Sequence, residues 1–430
     1  MNKGKLAAAM LLAALMIPIA GCSASSVSAS GTSESDSGTT TTTSVSTSSN
    51  GMLDTSDIFT DRDLEQTADT SNATEYTVSD GEDIEITEEG VYVISGTASD
   101  VTIKVTADDT AKVQIVLNGV SITNTDSPVI YVTSADKVFV TTASGSENSL
   151  SVTGTFVADG DTNTDAVIFS KEDLTLNGQG TLTIDSTDNG ITSKDDLKVT
   201  GGTYEITCSS DALEANDSIA IADGTFTITA GGDALHSEYD EDDTVGYVYI
   251  AGGTFNITAS DDGIQGTTIT QIDGGEFTID AAEGIEATYV QINGGTIDIT
   301  ASDDGINAAQ KSDSYATENG IVIEINDGDI SITMGSGDTD AVDSNGSIYI
   351  NGGTVDITAN GAFDYLDTAE LNGGTVTVNG EQVTTIESDM AGGGMGGGPG
   401  GDTQGGGMGG QSPSFGGSSS SNSINSTQSW

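Results

Sequence analysis

The chain has 430 residues and carries 67 Asp and Glu against 10 Lys and Arg, which gives a formal net charge of −57. Such a surface repels nucleic acid and anionic lipid, because binding to phosphate depends on lysine and arginine side chains. Ile, Val and Leu nevertheless recur with strand spacing over some three-quarters of the chain, which excludes a wholly disordered acidic protein. The composition predicts a folded protein whose surface attracts cations.

The first 22 residues have the features of a lipoprotein signal peptide. Lys3 and Lys5 precede an apolar run over 6–19, which is followed by Ala20-Gly21-Cys22. A run this short is typical of a secretion signal and not of a membrane span. We expect 1–22 to be the signal region, Cys22 to carry the lipid, and the protein to be extracellular and attached to the membrane through that lipid only.

Two low-complexity segments flank the central region. Residues 23–75 are rich in Ser and Thr and predict a flexible tether, and 386–430 are rich in Gly, Met and Ser and predict a disordered tail. The central region, 76–385, is predicted to be one folded domain. Cys208 is the only cysteine besides Cys22, so we expect no internal disulfide and a buried, unreactive thiol.

The central region repeats one strand opening, Gly-Gly or Asp-Gly followed by Thr or Glu and an apolar residue. The second glycines lie at 202, 224, 253, 275 and 295, in steps of 22, 29, 22 and 20 residues, with later copies at 353 and 374 and a weaker copy at 328. Apolar residues and Thr alternate after each opening, which indicates β-strand. The sequence therefore predicts an all-β fold, a right-handed parallel β-helix solenoid with coils of about 22 residues.

Neighbouring strands lie about 4.8 Å apart, so equivalent residues of successive coils should stack. The apolar residue of each opening then forms one ladder in the core, made of Leu182, Tyr204, Phe226, Phe255, Phe277, Ile297 and Val355. Two stretches, 236–246 and 308–320, break the period and are predicted to loop out.

A second motif follows most of the openings: an acid, then an apolar residue two positions later and a polar residue three positions later. Asp211-Ala212-Leu213-Glu214 and Asp262-Gly263-Ile264-Gln265 are examples. The apolar residue should point inward and the polar residues should stand on the outer wall. Carboxylates stacked about 4.8 Å apart repel by about 3.5 kcal/mol at an effective dielectric constant of about 20, so water or a cation must separate them.

Oxygen ligands without thiols or clustered histidines favour calcium. We therefore predict calcium as the cofactor and these acids as its ligands: Asp211, Glu214, Asp233, Asp261, Asp262, Glu283, Glu286, Asp303, Asp304, Asp340, Asp343, Asp364 and Asp367. Turn chemistry alone is the alternative explanation, because Asp-Gly suits tight corners and solvated faces. The only histidine, His236, ends one copy of the motif, and we expect a structural or chance surface position for it, with no catalytic role.

These features together resemble a clostridial carbohydrate-binding family of cellulose- and pectin-binding β-helix lipoproteins. The likeness rests on the lipoprotein start, the Ser/Thr tether, the Gly-Gly-Thr strands and the Asp-Asp-Gly-Ile turns at Asp262 and Asp304, and it spans roughly 76–380. The resemblance implies a right-handed β-helix, bound calcium, binding of plant cell-wall polysaccharides such as cellulose and polygalacturonate, and no demonstrated lyase action.

The sequence leaves three functions open, with binding by a monomer preferred and no catalytic residues assigned. A uronate lyase needs a strong base beside calcium, and only Lys194 and Lys198 adjoin the acidic turns, while Lys311 falls in a predicted loop. The third reading is a passive adhesin with structural calcium. For neutral glucans, exposed aromatic side chains would be needed, and Tyr247, Tyr249, Tyr289 and Tyr349 are the candidates.

Overall fold

The computed structural model describes residues 52–239, 244–336 and 339–388. Cys22, most of the predicted tether and nearly all of the predicted tail lie outside the described residues, so the statements about them stay predictions. Within the described ranges, no helix is both long and apolar enough to cross a bilayer.

The described residues form one 3-10 helix, Thr55–Asp57, one α-helix, α1 (Asp313–Asn319), and 34 strands. The first seventeen strands are β1 (Thr74–Thr77), β2 (Ile84–Ile86), β3 (Gly90–Ser99), β4 (Ile103–Thr106), β5 (Lys112–Asn124), β6 (Ile130–Ser134), β7 (Lys137–Thr142), β8 (Glu147–Val152), β9 (Ala166–Ser170), β10 (Leu174–Gly178), β11 (Thr181–Ser186), β12 (Asn189–Ser193), β13 (Asp196–Val199), β14 (Thr203–Thr207), β15 (Leu213–Ala215), β16 (Ser218–Ile221) and β17 (Thr225–Ala230). The remaining strands are β18 (Leu235–Ser237), β19 (Tyr247–Ile250), β20 (Thr254–Ala259), β21 (Asp262–Ile272), β22 (Glu276–Ala281), β23 (Glu283–Ile292), β24 (Thr296–Ala301), β25 (Ile306–Ala308), β26 (Val322–Ile325), β27 (Asp329–Met334), β28 (Asp340–Ser344), β29 (Ser347–Ile350), β30 (Thr354–Thr358), β31 (Gly361–Tyr365), β32 (Ala369–Leu371), β33 (Thr375–Val378) and β34 (Glu381–Val383).

The strands pair in three columns, and each repeat contributes one strand segment to each column. The first column follows the Gly-Gly openings and runs through β8, β11, β14, β17, β20, β22, β24, β27, β30 and β33. The second column runs through β6, β9, β12, β15, β18, the first halves of β21 and β23, then β25, β28 and β31. The third runs through β7, β10, β13, β16, β19, the second halves of β21 and β23, then β26, β29 and β32.

Among the named strands of the described ranges, every pairing is parallel except that of β33 with β34. The predicted all-β class is therefore confirmed. A long, mostly parallel sheet with one segment of each repeat in each column is compatible with a β-helix.

The core ladder predicted from the first column is confirmed. Its residues pair in the expected register, with one member that the sequence analysis omitted, Ile330, between Ile297 and Val355. The three phenylalanine rings stack almost face to face, at centroid distances of 4.7 Å for Phe226 with Phe255 and 4.6 Å for Phe255 with Phe277. All are 1% exposed, so this column supplies core packing and not an aromatic sugar platform.

The second glycine of each opening meets a steric requirement. Gly253 has a φ of +116°, and a Cβ built there would lie 3.0 Å from a ring carbon of Phe255 and 3.1 Å from the carbonyl oxygen of Gly224. A side chain at this position would be strained in its backbone and crowded by the ladder. The repeat therefore needs glycine where the chain turns into the stacked strand.

Just before the later openings, stacked amide side chains form a hydrogen-bonded ladder. The side-chain amide of each residue donates to the side-chain oxygen of its predecessor, and the ladder runs through Asp273, Asn293, Asn326, Asn351 and Asn372 at 2.8–3.0 Å. The sequence analysis missed this ladder, although the recurring Asn before Gly-Gly or Asp-Gly is its signal.

The predicted tether extends too far along the chain. Residues 52–66, which we call the N-terminal strap, lie across the outer face of the third column. Leu53 donates its N–H to Gln271 Oε1 at 2.9 Å, and the Phe59 ring lies 6.2 Å from the ring of Tyr249. The prediction of flexibility is thus wrong for the strap, because isolated apolar and polar side chains in a weakly patterned segment find partners on a distant face.

Asp63 anchors the strap through a buried ion pair. Its side chain is 0% exposed, accepts Lys137 Nζ at 3.0 Å and accepts the hydroxyl of Thr175 at 2.9 Å. Gln66 continues the contact, accepting the N–H of Gly178 at 2.9 Å. Burial of both charges makes each one dependent on the other.

Both predicted interruptions begin later than expected, because His236 and Ser237 belong to β18 and Ala308 belongs to β25. Residues 309–321, between β25 and β26, contain α1, which Ser312 caps through the N–H of Tyr315. Tyr315 is 8% exposed and packs with Ile269, Tyr289 and Val322, so this insertion is docked onto the third column. Part of the other interruption, 240–243, lies outside the described residues.

The Asp63→Ala variant should lower the free energy of unfolding by about 3–5 kcal/mol, because it leaves the Lys137 ammonium buried without its main partner. Urea denaturation is the measurement. The double variant Asp63→Ala with Lys137→Met should recover much of the loss, and Asp57→Ala, which removes an exposed acid of the same segment, should change stability by no more than about 0.5 kcal/mol. An Asp63→Ala protein as stable as the parent would show that the strap is not anchored here.

Candidate functional site

The second strand column carries the acidic motif. Its apolar residues point into the core as predicted and are 0% exposed: Leu213, Leu235, Ile264, Ile285, Ile306 and Val342. Two residues before each of these lies the first-position row, Asp211, Asp233, Asp262, Glu283, Asp304 and Asp340. One residue after each lies the fourth-position row, which consists of Glu214, His236, Gln265, Glu286, Asn307 and Asp343. Strand pairing extends this row to Thr192 at one end and to Asp364 at the other.

In the last coil, the predicted motif positions are displaced by three residues from the observed strand register. Asp364 pairs with Asp343 and belongs to the fourth-position row, while Phe363 takes the inward position. Leu366, which the sequence analysis placed inward, is 69% exposed, and Asp367 is exposed and outside the rows. The shift arises because this coil has no acid at the first position, and the motif recurs by chance three residues later.

First-position carboxylates serve first as acceptors for the next coil. The backbone N–H of the later residue donates to Oδ1 of the earlier one, in Asp211–Asp233 at 2.8 Å, Asp233–Asp262 at 2.7 Å and Asp304–Asp340 at 3.2 Å. Turn chemistry therefore accounts for one oxygen of each of these side chains. The other oxygen, Oδ2, lies near the fourth-position residue His236 in Asp211 and Asp233.

The densest group of acids, which we call the Asp262 cluster, consists of Asp262, Glu283 and Glu286. One carboxylate oxygen from each lies within 4.8 Å of the others. Asp262 and Glu286 are each 3% exposed and Glu283 is half-buried. These acids lie on the outer side of the second column but are largely shielded from solvent, and Asn307 of the next coil and Lys311 of the 309–321 insertion contact them.

Two amide side chains donate hydrogen bonds to this cluster, and one lysine forms an ion pair with it. Gln265 Nε2 donates to Asp262 and, at 3.0 Å, to Glu286. Asn307 Nδ2 donates to Glu283 at 2.9 Å and to Glu286 at 3.2 Å, while its own Oδ1 is buried without a hydrogen-bond partner. Lys311 Nζ lies 2.5 Å from Glu286 Oε2. Three carboxylates thus face one ammonium, and the cluster has an excess of negative charge.

Burial and mutual repulsion change the acidity of these groups. Burial, reinforced by the charge of Glu286, raises the pKa of Asp262 to about 7. Burial also raises the pKa of Glu283 to about 7, against the hydrogen bond from Asn307, and it raises the pKa of Glu286. Such shifts mean that the ionised cluster opposes folding unless a cation compensates it.

A second group, which we call the His236 cluster, contains Asp211, Asp233 and His236. Nδ1 of His236 lies 3.1 Å from Asp211 Oδ2 and 3.4 Å from Asp233 Oδ2. Burial lowers the pKa of His236, but the hydrogen bond to Asp211 and the charge of Asp233 outweigh it and raise the value to about 9. Burial raises the pKa of Asp233 to about 7. The histidine is thus partly buried between two carboxylates and not a chance surface residue.

The other predicted ligands are more dispersed. Glu214 is already satisfied by Asn189, Thr192 and Lys194, whose Nζ lies 3.0 Å away. Asp261 is exposed but lies close to Asp233 and Asp262. Asp303, Asp304, Asp340, Asp343 and Asp364 belong to none of the groups of three candidate ligands that the described residues form.

The side chains considered for the alternative functions are placed less favourably. Lys194 pairs with Glu214, and Lys198 lies in the third column with its side chain 11% exposed beside Asp196. Tyr249 is buried beneath the strap, and Tyr289 is 8% exposed. Lys311, which the sequence analysis placed in a loop, is the basic side chain of the Asp262 cluster. No local pattern connects residue 311 with 286, because only the folded insertion joins them.

With metal removed by chelation, the thermal midpoint of unfolding should fall as the pH rises from about 5 to about 8. The pKa values of Asp262 and Glu283 are raised to about 7 from ordinary values of 3.8 and 4.5. Their contribution to stability is therefore complete below the unfolded-state values and is lost as the pH rises through about 7.

In this experiment Asp262→Asn should flatten the pH dependence. Asp280→Asn, which removes an exposed acid from the first column, should leave it unchanged. A midpoint that stays constant or rises over the same interval in the parent protein would contradict the assigned burial of the cluster.

Comparison with known proteins identifies the family. The chain matches the carbohydrate-binding domain-containing protein family over residues 80–339. A protein of that description from Acetivibrio thermocellus is 38% identical over 127 residues, which are 29% of this chain and 44% of the relative, so the match spans less than half of the relative's length. A solved structure of a polysaccharide lyase-like protein from C. thermocellum, a gadolinium derivative, is 29% identical over 60% of this chain and 99% of that chain, with a TM-score of 0.45. Since the family match covers more than half of its length, the chain belongs to the carbohydrate-binding domain-containing protein family.

Proposed function

We propose that this protein binds an acidic polysaccharide through calcium held at the Asp262 cluster. The observation that carries the proposal is a group of two buried carboxylates and one half-buried carboxylate, one oxygen of each lying within 4.8 Å of the others, in a chain whose family supports carbohydrate as the partner. Buried charges of one sign need a counter-charge. Lys311 supplies only one positive charge against three negative ones.

The donor set of the cluster suits calcium. Calcium binds six to eight oxygen atoms, often from Asp and Glu carboxylates and Asn side-chain carbonyls. The buried Oδ1 of Asn307 has no partner, and exchange of the amide oxygen and nitrogen needs no change in shape. Such an exchange would turn that oxygen toward Glu283 and Glu286. Asn307 therefore joins the three acids as a proposed ligand.

Charge explains why a shared cation is needed for an acidic glycan. At −57 the protein repels polygalacturonate. A calcium ion bound by both the cluster and a uronate carboxylate would reverse the local field. Neutral glucans such as cellulose fit less well, because Tyr249 and Tyr289 are buried.

The proposal also includes the fold of the domain and the cellular location of the protein. In-register parallel pairing in three columns, together with the right-handed rule for parallel crossovers, supports a right-handed parallel β-helix. The Ile19-Ala20-Gly21-Cys22 sequence supports lipid attachment at Cys22 and display on the outer surface of the cell membrane.

A uronate lyase is the second candidate, and Lys311 is the observation that favours it. In a uronate lyase, the base that removes the C5 proton lies beside the bound calcium, and Lys311 lies beside the proposed calcium site. Burial lowers the pKa of Lys311, but the hydrogen bond and charge of Glu286 outweigh it and raise the pKa. A lysine held in its protonated form is a weak base, so binding is the better supported function.

The test is a pull-down on polygalacturonate gel with calcium and with EDTA. We expect retention in calcium and release in EDTA, and Asp262→Asn should weaken retention by at least about tenfold through loss of metal affinity. Asp280→Asn removes the same charge from the exposed face of the first column and should be retained like the parent.

Binding that survives EDTA would contradict the calcium bridge. An absence of binding to any polysaccharide would favour a passive adhesin. Formation of unsaturated uronate, followed by its ultraviolet absorbance, would establish the lyase instead.

A further inference from the structure

The His236 cluster has a construction different from that of the Asp262 cluster. Oδ1 of Asp211 is held by the N–H of Asp233, and Oδ1 of Asp233 is held by the N–H of Asp262. Both side chains are therefore oriented by backbone amides of the following coil. Their remaining oxygens, both Oδ2, converge on Nδ1 of a single imidazole.

The imidazole replaces an oxygen-bearing side chain in the fourth-position row. His236 pairs with Glu214 on one side and Gln265 on the other. Neutral imidazole nitrogen is a preferred ligand of zinc, copper, iron and nickel, whereas calcium takes oxygen ligands. His236 is the only imidazole in this row, so its coil is unsuited to calcium and suited to a transition metal.

The distances agree with a tetrahedral ion. Bonds of about 2.0 Å, as zinc makes to His nitrogen and carboxylate oxygen, separate neighbouring ligand atoms by about 3.3 Å. The two distances from Nδ1 to the Oδ2 atoms are 3.1 Å and 3.4 Å. We infer that Asp211, Asp233 and His236 form a separate site for a transition-metal ion of the zinc class, distinct from the calcium site of the proposed function.

The surroundings support such a site. The side chains are 18%, 8% and 15% exposed for Asp211, Asp233 and His236, so an ion can enter and water can complete its coordination. Glu238 Oε2 lies 3.9 Å from the other ring nitrogen, Nε2. A protonated imidazole bridging two carboxylates is the competing explanation, and it involves no metal.

The test is calorimetric titration of zinc into the full chain with millimolar calcium present throughout, which keeps oxygen-only sites filled. We expect saturable zinc binding, and cobalt in place of zinc should give visible absorption bands that zinc abolishes. His236→Gln should weaken zinc binding by at least about tenfold. It introduces the amide that Gln265 supplies at the next coil, and cooperative thermal unfolding in chelator checks that the variant folds.

Glu238→Gln is the matched control, because it alters an exposed neighbour and leaves all three ligands in place. It should retain zinc binding within a few-fold of the parent. Equal zinc affinity in His236→Gln and the parent, or no saturable zinc binding in calcium, would overturn the inference. Neither result bears on calcium-dependent retention by polygalacturonate, so failure here is distinguishable from failure of the proposed function.

Discussion

Within the three strand columns, strands pair in parallel with the equivalent strands of the next repeat, so equivalent side chains lie about 4.8 Å apart. In the core this spacing brings Phe226, Phe255 and Phe277 into face-to-face contact. On the outer side of the second column the same spacing stacks carboxylates, which repel one another. One geometric constraint thus produces both the favourable core and the electrostatic problem on which function depends.

The repulsion between stacked carboxylates is offset by different partners in different coils. Backbone amides occupy one oxygen of Asp211 and Asp233, and Lys194 pairs with Glu214. At the Asp262 cluster the amides of Gln265 and Asn307 and one ammonium are insufficient for three buried charges. Turn chemistry and cation binding are therefore not exclusive explanations of the acids. The first orients the carboxylates, and the orientation makes the second possible.

Sequence periodicity was sufficient to predict the features that depend on strand spacing. The all-β class, the first-column ladder and the inward apolar residues of the acidic motif follow from alternation and from the recurrence of Gly-Gly, because every copy occupies an equivalent place. The register failed at Asp364, where a coil without a first acid allowed a chance match at Asp367. A short motif cannot distinguish these two positions until neighbouring strands fix the pairing.

Features that depend on long-range contacts could not be derived in this way. The strap carries no copy of the repeat motifs, and its contacts, such as Asp63 with Lys137, join residues 74 positions apart. The approach of Lys311 to Glu286 depends on the folding of an insertion that has no counterpart in the other coils. The low exposure of Asp262 depends on how neighbouring coils pack around it, which the motif alone does not show.

The central claim is that a cation lies among the carboxylates of Asp262, Glu283 and Glu286. Anomalous diffraction from crystals grown in millimolar calcium tests it most directly. The account predicts an anomalous difference peak within coordination distance of all three carboxylates. A map without such a peak, with the Lys311 ammonium as the sole cation beside Glu286, would contradict it.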